Sequence, residues 1–183
     1  MNFLFVLFWQ VVEILPGTIG FLVGVRIRRR SLIWAFASST AGAALNAVLI
    51  HLIQAYRFSG VPALNFPQTL SGTIGDILFS VIVGFPCVLY CSAEQWWSNW
   101  KTDIALGALI GILYAVAQGS WGWSVDVFHI PLHLITMAVF CAVLFFGVRR
   151  LRDVSSWPLA LAGGAALAVV LSAIFIVIDY RSF

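Results

Sequence analysis

Charged side chains are scarce in this sequence of 183 residues. Asp, Glu, Lys and Arg make up 9% of the chain, 62% of the residues are hydrophobic, and the mean hydropathy is +1.01. Soluble domains carry about 25% charged residues, so the composition excludes that class and makes a lipid bilayer the expected partner. The ten basic residues, which give a formal charge of +3, flank apolar runs, and this placement indicates membrane orientation rather than nucleic-acid binding.

Recognisable catalytic motifs are also missing. The sequence contains no glycine-rich phosphate loop, no HExxH, no GxSxG and no pair of carboxylates at a catalytic spacing. We therefore expect that the protein is not an enzyme, and the sequence requires no cofactor. The N-terminal residues lack the basic segment of a secretory signal, so the first apolar run is interpreted as a membrane span.

Cysteine is confined to the apolar runs. Cys87 and Cys91 are one helical turn apart, and Cys141 lies in a later run. Because none of them lies in a predicted external loop, no structural disulfide is implied. Thiols at this spacing can ligate a soft metal ion or act as small hydrophobic side chains, and we favour the second interpretation.

Six apolar runs account for nearly the whole chain. A helix that crosses a bilayer needs about 20 apolar residues. Runs of this length predict an all-α fold, a helical bundle that forms a single transmembrane domain over residues 1–183 with no separate soluble domain. Four or five spans are the alternative, if the run at 70–91 or at 102–118 is re-entrant. The six predicted spans are residues 3–25, 32–54, 70–91, 102–118, 127–148 and 157–178.

Lys and Arg are distributed unevenly between the predicted loops. Only Arg57 and Arg181 lie on one side, and no Lys or Arg lies within a predicted span. Because loops rich in Lys and Arg stay in the cytoplasm, this asymmetry with an even number of spans predicts that both termini are outside. We expect the cytoplasmic (inner) membrane of a bacterium as the location. The basic residues on the predicted cytoplasmic side are Arg26, Arg28, Arg29, Arg30, Lys101, Arg149, Arg150 and Arg152.

Each predicted span carries a narrow stripe of polar and small residues, at about 100° of rotation per residue. Stripes of small residues usually allow close helix packing. Glu13 differs, because it lies about 15 Å into the first span, near the predicted bilayer centre, where a carboxylate must be paired, hydrated or protonated. Two roles for Glu13 therefore stay open, one in a pathway for a solute or proton and one in helix packing.

Three histidines and one aspartate, His51, Asp76, His129 and His133, fall in the predicted outer halves of their spans. His129 and His133 are four residues apart, the spacing at which two imidazoles on one helical face can share a metal ion. Histidine also titrates near neutral pH, so this cluster can sense external acidity or relay protons toward Glu13. We favour a third interpretation, interhelical hydrogen bonding, and predict no metal site; His129 and His133 are the candidates if a metal binds.

Tryptophan and arginine are concentrated on the predicted cytoplasmic side. The segment 94–101 holds three tryptophans and can lie flat on the inner leaflet, as a membrane anchor or as a docking ridge for a soluble cytoplasmic protein. The residues of the docking hypothesis are Arg26, Arg28, Arg29, Arg30, Trp96, Trp97, Trp100, Arg149, Arg150 and Arg152.

Three functions of different classes follow from these features. The first is a channel or transporter-like subunit with a polar interior, which can form a homo-oligomer. The second is a membrane sensor or scaffold subunit that docks a soluble cytoplasmic partner. The third is a metal- or haem-binding membrane protein, for which no haem motif is present. The polar pathway of the first hypothesis comprises Gln10, Glu13, Asn46, His51, Asp76, Gln118, His129 and His133.

Overall fold

The computed structural model describes residues 3–27, 33–42, 44–45, 75, 77–93, 99–120 and 130–179. The regular elements within these ranges are helices. In chain order they are α1 (Phe3–Arg26), α2 (33–42), α3 (Ile77–Ser92), α4 (Trp100–Ser120), α5 (Ile130–Arg152) and α6 (Trp157–Asp179).

Four of these helices, α1, α4, α5 and α6, are long and apolar enough to cross a membrane, whereas α3 is apolar but shorter. The predicted all-α class is therefore confirmed for the described residues, with four candidate membrane-spanning helices. The predicted spans at 32–54 and 70–91 extend beyond the described residues. The total of six spans and their orientation stay predictions.

The helices pack in a fixed order around a buried centre. α4 lies against α5, α5 also lies against α6, and α6 packs on α1, while α3 contacts α1, α4 and α5. The contact between α4 and α5 is the most extensive. It depends on Gly107 and Gly111, because a β-carbon at either position would collide with backbone atoms of α5 near Met137 and Cys141. Small residues spaced in this way let two membrane helices approach to backbone contact.

Helix α3 contains an irregular turn. Residues Ser80–Gly84 form a π-helix, in which the N–H of Phe85 bonds to the carbonyl of Ser80. Gly84 in this segment has no side chain, and the ring of Phe21 from α1 occupies the space that a β-carbon there would need. Turns of this kind occur mostly as single insertions in α-helices and are frequent at functional sites.

One end of the bundle, called the arginine end below, is held together by guanidinium groups. Nη1 of Arg26 donates to the carbonyls of Leu151, Arg152 and Val154 at 3.0, 3.2 and 2.7 Å. Nη1 of Arg152 in turn donates to the carbonyl of Cys91 at 2.8 Å. The last carbonyls of a helix lack intrahelical donors and carry partial negative charge, so each arginine caps the C-terminal end of another helix.

Candidate functional site

Three polar side chains form a hydrogen-bonded chain at the opposite end of the bundle, called the histidine end below. Nε2 of His133 lies 2.8 Å from Oε1 of Gln118, and Nε2 of Gln118 donates to the hydroxyl of Tyr114 at 2.9 Å. The Tyr114 hydroxyl donates in turn to the carbonyl of Gly75 at 3.4 Å. The chain therefore joins α5, α4 and the backbone that precedes α3.

The orientation of the Gln118 amide is matched to one tautomer of the His133 imidazole. The Gln118 amide nitrogen is a donor only, so the oxygen of the same amide faces His133 as an acceptor. With this amide orientation, the hydrogen bond forms when Nε2 of His133 carries a proton. In that tautomer, the three hydrogen bonds run in one direction, from the imidazole toward the Gly75 carbonyl.

Local geometry explains why these side chains meet. Tyr114 and Gln118 are four residues apart on α4, so they lie on one helical face. His133 belongs to the first turn of α5, which runs antiparallel to α4 and begins beside the end of α4. Gln118 and His133 were both predicted pathway residues, and the structure brings them together. Tyr114 was not predicted as a site residue, although its spacing of four residues from Gln118 indicates that the two share a helical face.

A second polar cluster lies at the arginine end. Asp103 in the first turn of α4 is only 3% exposed. Its Oδ1 accepts a 2.9 Å hydrogen bond from the hydroxyl of Tyr90 and lies 3.7 Å from Nε of Arg149. The guanidinium of Arg149 also lies over the Tyr90 ring, with its central carbon 5.2 Å from the ring centroid. A buried carboxylate is thus compensated by a cation and a hydroxyl, as burial of charge requires.

The two clusters occupy one face of α4. Asp103 and Tyr114 are eleven residues apart, which corresponds to about 16 Å along the axis and about 20° of rotation. Helix α3 covers this face, because Phe79 contacts Tyr114 near one end of α3 and Tyr90 contacts Asp103 near the other. Asp103 and Tyr90 were not predicted as site residues. The sequence does indicate Asp103, because its spacing from Tyr114 places both on one face of α4.

The remaining predicted pathway residues are distributed as follows. Gln10 and Glu13 lie three residues apart on α1, and both are half-buried. Asn46, His51, Asp76 and His129 lie outside the described residues. Among the residues that the structure does describe, no group of three or more His, Cys, Asp or Glu is arranged to hold a metal ion. The three cysteines are buried free thiols.

The predicted docking residues have different surroundings. Arg26, Arg149 and Arg152 direct their guanidinium groups to other parts of the chain. Arg150 is exposed beside the ring of Phe146. Trp100 is 52% exposed, with the Lys101 ammonium 5.6 Å from its ring centroid. The other docking candidates, which lie outside the described residues, are Arg28, Arg29, Arg30, Trp96 and Trp97.

No protein-family model, curated protein or solved structure matches this chain in sequence or structure comparisons. The two polar clusters are therefore the features of the chain that point to a function.

Proposed function

We propose that the protein is a small channel or transporter-like subunit that crosses a bacterial cytoplasmic membrane six times, with both termini outside. The observation that carries this proposal is the placement of polar clusters at both ends of one inner face of α4. Tyr114, Gln118 and His133 form the cluster at the histidine end, and Tyr90 and Asp103 belong to the cluster at the arginine end. Together these five residues are called the polar route.

Physical chemistry supports a functional reason for these residues. Ionisable and amide side chains are costly inside apolar helices, and in membrane proteins they commonly mark the path of an ion or solute. Hydrogen bonds between membrane helices contribute only about 0.6 kcal/mol on average, so stability alone is a weak reason to place Gln118, His133 and Tyr114 together. The same groups offer both donors and acceptors to a hydrated species that enters from the histidine end.

A second candidate is a sensor or scaffold subunit that docks a soluble partner. Exposed Trp100, Lys101 and Arg150 at the arginine end favour it. The engagement of Arg26, Arg149 and Arg152 within the chain reduces the basic surface that such a partner can reach. The channel or transporter is therefore the better supported of the two.

The experiment uses the purified protein in liposomes, with Val116→Leu as the control variant. Fluxes of protons, potassium and glycerol are followed after a gradient of each is imposed, with empty liposomes as background. We expect flux of at least one probe, and a loss of about tenfold in Gln118→Leu, because the variant removes the amide that bonds both His133 and Tyr114. Val116→Leu retains the flux, because Val116 on α4 is 58% exposed and lies away from these contacts. Absence of flux for all three probes overturns the proposal, as does an equal loss in both variants.

A further inference from the structure

A cluster of aromatic rings lies beside Tyr114 in the polar chain at the histidine end. The ring of Phe79 in α3 meets Tyr114 edge to face at 5.2 Å between centroids. It also meets Phe140 of α5 at 5.9 Å and Phe21 of α1 at 6.2 Å. Phe79 thus touches one ring from each of three helices, directly beside the hydroxyl-bearing ring at which the polar chain turns toward the backbone.

Beyond Phe79 the centre of the bundle is closely packed and mainly apolar. Val83 and Cys87 follow on α3, and both side chains have no exposed surface. Ser80, next to Phe79, is a buried polar residue. The Tyr90 hydroxyl and the Asp103 carboxylate lie farther along, toward the arginine end. Phe79 therefore lies between the polar chain of the histidine end and the buried, mainly apolar segment that separates it from the arginine end.

The backbone next to Phe79 departs from α-helical hydrogen bonding. The π-helix Ser80–Gly84 begins immediately after Phe79. A π-turn holds one more residue than an α-turn. If this turn changes from one type to the other, the residues before it rotate about the helix axis, while the rest of the helix keeps its hydrogen bonds. Gly84 presents no side chain to hinder such a change, and the Phe21 ring packs over it.

We propose that Phe79 is the hydrophobic gate of the polar route, and that exchange of the π-turn at Ser80–Gly84 moves its ring away from Tyr114. This inference rests on the proposed function. In the described conformation the gate is closed, because Phe79 packs against Phe21, Tyr114 and Phe140. Apolar constrictions of this kind block ions and polar solutes by excluding water from the narrow segment.

Cys87 offers a native reporter of the gate. In the double variant Cys91→Ser, Cys141→Ser it is the sole thiol, since the chain has three cysteines. The full-length protein in liposomes is treated with a charged methanethiosulfonate that does not cross membranes, and the rate of Cys87 modification is measured. We expect slow modification in this background and at least a tenfold faster rate after Phe79→Ala, whereas Phe79→Leu retains most of the protection because leucine keeps an apolar plug.

The matched control is Phe85→Ala in the same helix, since the Phe85 ring packs on Phe36 of α2 rather than on the polar route. Phe85→Ala leaves the Cys87 rate unchanged. An equal increase in both alanine variants indicates general loosening and overturns the gate, and an unchanged rate in Phe79→Ala overturns it as well. If Phe79→Ala alone exposes Cys87 but the parent protein passes no probe, the proposed function fails while Phe79 is retained as the seal of the polar chain.

Discussion

The carboxylate of Asp103 and the guanidinium of Arg149 lie 3.7 Å apart and connect the first turn of α4 to the last turn of α5. Their side chains are only 5% and 13% exposed, and the Tyr90 hydroxyl bonds the same carboxylate oxygen. The pair is therefore a largely desolvated ion pair that spans the arginine end of the α4–α5 hairpin.

Neutralisation of Asp103 should destabilise the fold, because the buried guanidinium of Arg149 then lacks its negatively charged partner. We expect Asp103→Asn to cost about 3 kcal/mol, near the value for breaking a buried ion pair from one side. The double variant Asp103→Asn, Arg149→Met should recover most of this loss, since no charge is then left uncompensated. Chemical unfolding of the protein in detergent measures both. The single variant Arg149→Met completes the comparison. If the double variant loses as much free energy of unfolding as the two single variants together, the pair is not coupled.

Removal of the Arg26 side chain should also lower stability. Arg26 donates to three carbonyls at the end of α5, and its guanidinium lies 4.6 Å from the centroid of the Trp157 ring. Hydrogen bonds from a charged donor contribute about 1.5–3 kcal/mol, so we expect a loss of this order for Arg26→Ala. Arg26→Lys should recover only part of it, because an ammonium lacks the planar fork of the guanidinium.

Arg150→Ala serves as the control for Arg26, because Arg150 is exposed and lies two residues before the end of α5. Its effect should lie within about 0.5 kcal/mol, as for most surface substitutions. Thermal unfolding midpoints in detergent compare the three variants. Equal shifts for Arg26→Ala and Arg150→Ala would mean that the carbonyl contacts of Arg26 contribute nothing measurable.

The hydrogen bond between Gln118 and His133 should appear as a coupling energy. In a double-mutant cycle with Gln118→Leu and His133→Leu, we expect a coupling of about 1 kcal/mol, within the range found for hydrogen bonds between membrane helices. Unfolding in detergent provides the four free energies. A coupling near zero would indicate that the 2.8 Å contact between Nε2 and Oε1 is replaced by water in the native state.

The predicted topology can be tested with fusion reporters. Alkaline phosphatase fused after Phe183 should be active, because both termini are predicted to be outside. Green fluorescent protein fused after Ser156, in the turn between α5 and α6, should fluoresce, because that turn is predicted to be cytoplasmic. A fluorescent fusion after Phe183 would reject the predicted orientation of the C-terminus.

Several features of the fold follow from local patterns. The four long helices are apolar over enough residues to be identified one by one, and their predicted ends differ from the observed ones by a few residues, as at 127–148 for α5 (Ile130–Arg152). The stripe that holds Asp103, Gly107, Gly111, Tyr114 and Gln118 follows from the helical repeat alone. The counts of Lys and Arg likewise predict a shared end for Arg26 and Arg149, and the structure places both at the arginine end.

The partners of these residues could not be predicted in the same way. Arg26 was expected at a membrane surface or a docking site, yet its guanidinium contacts carbonyls 125 to 128 residues away. No local sequence pattern indicates which residues of other helices contact Cys87, Cys91 or the π-turn at Ser80–Gly84. Such contacts depend on which helix faces are brought together.

Hydrophobicity and the helical repeat are local properties, so the amino-acid sequence predicts a membrane protein, the positions of its four long helices and the residues that share a helical face. Its scarce charge was the first of these signals. Three contacts between helices became known from the packing alone: Gln118 bonds His133, Asp103 pairs with Arg149, and Phe79 packs against Tyr114. Those contacts arise from close packing between helices, where a glycine such as Gly111 permits backbone contact that no local pattern specifies.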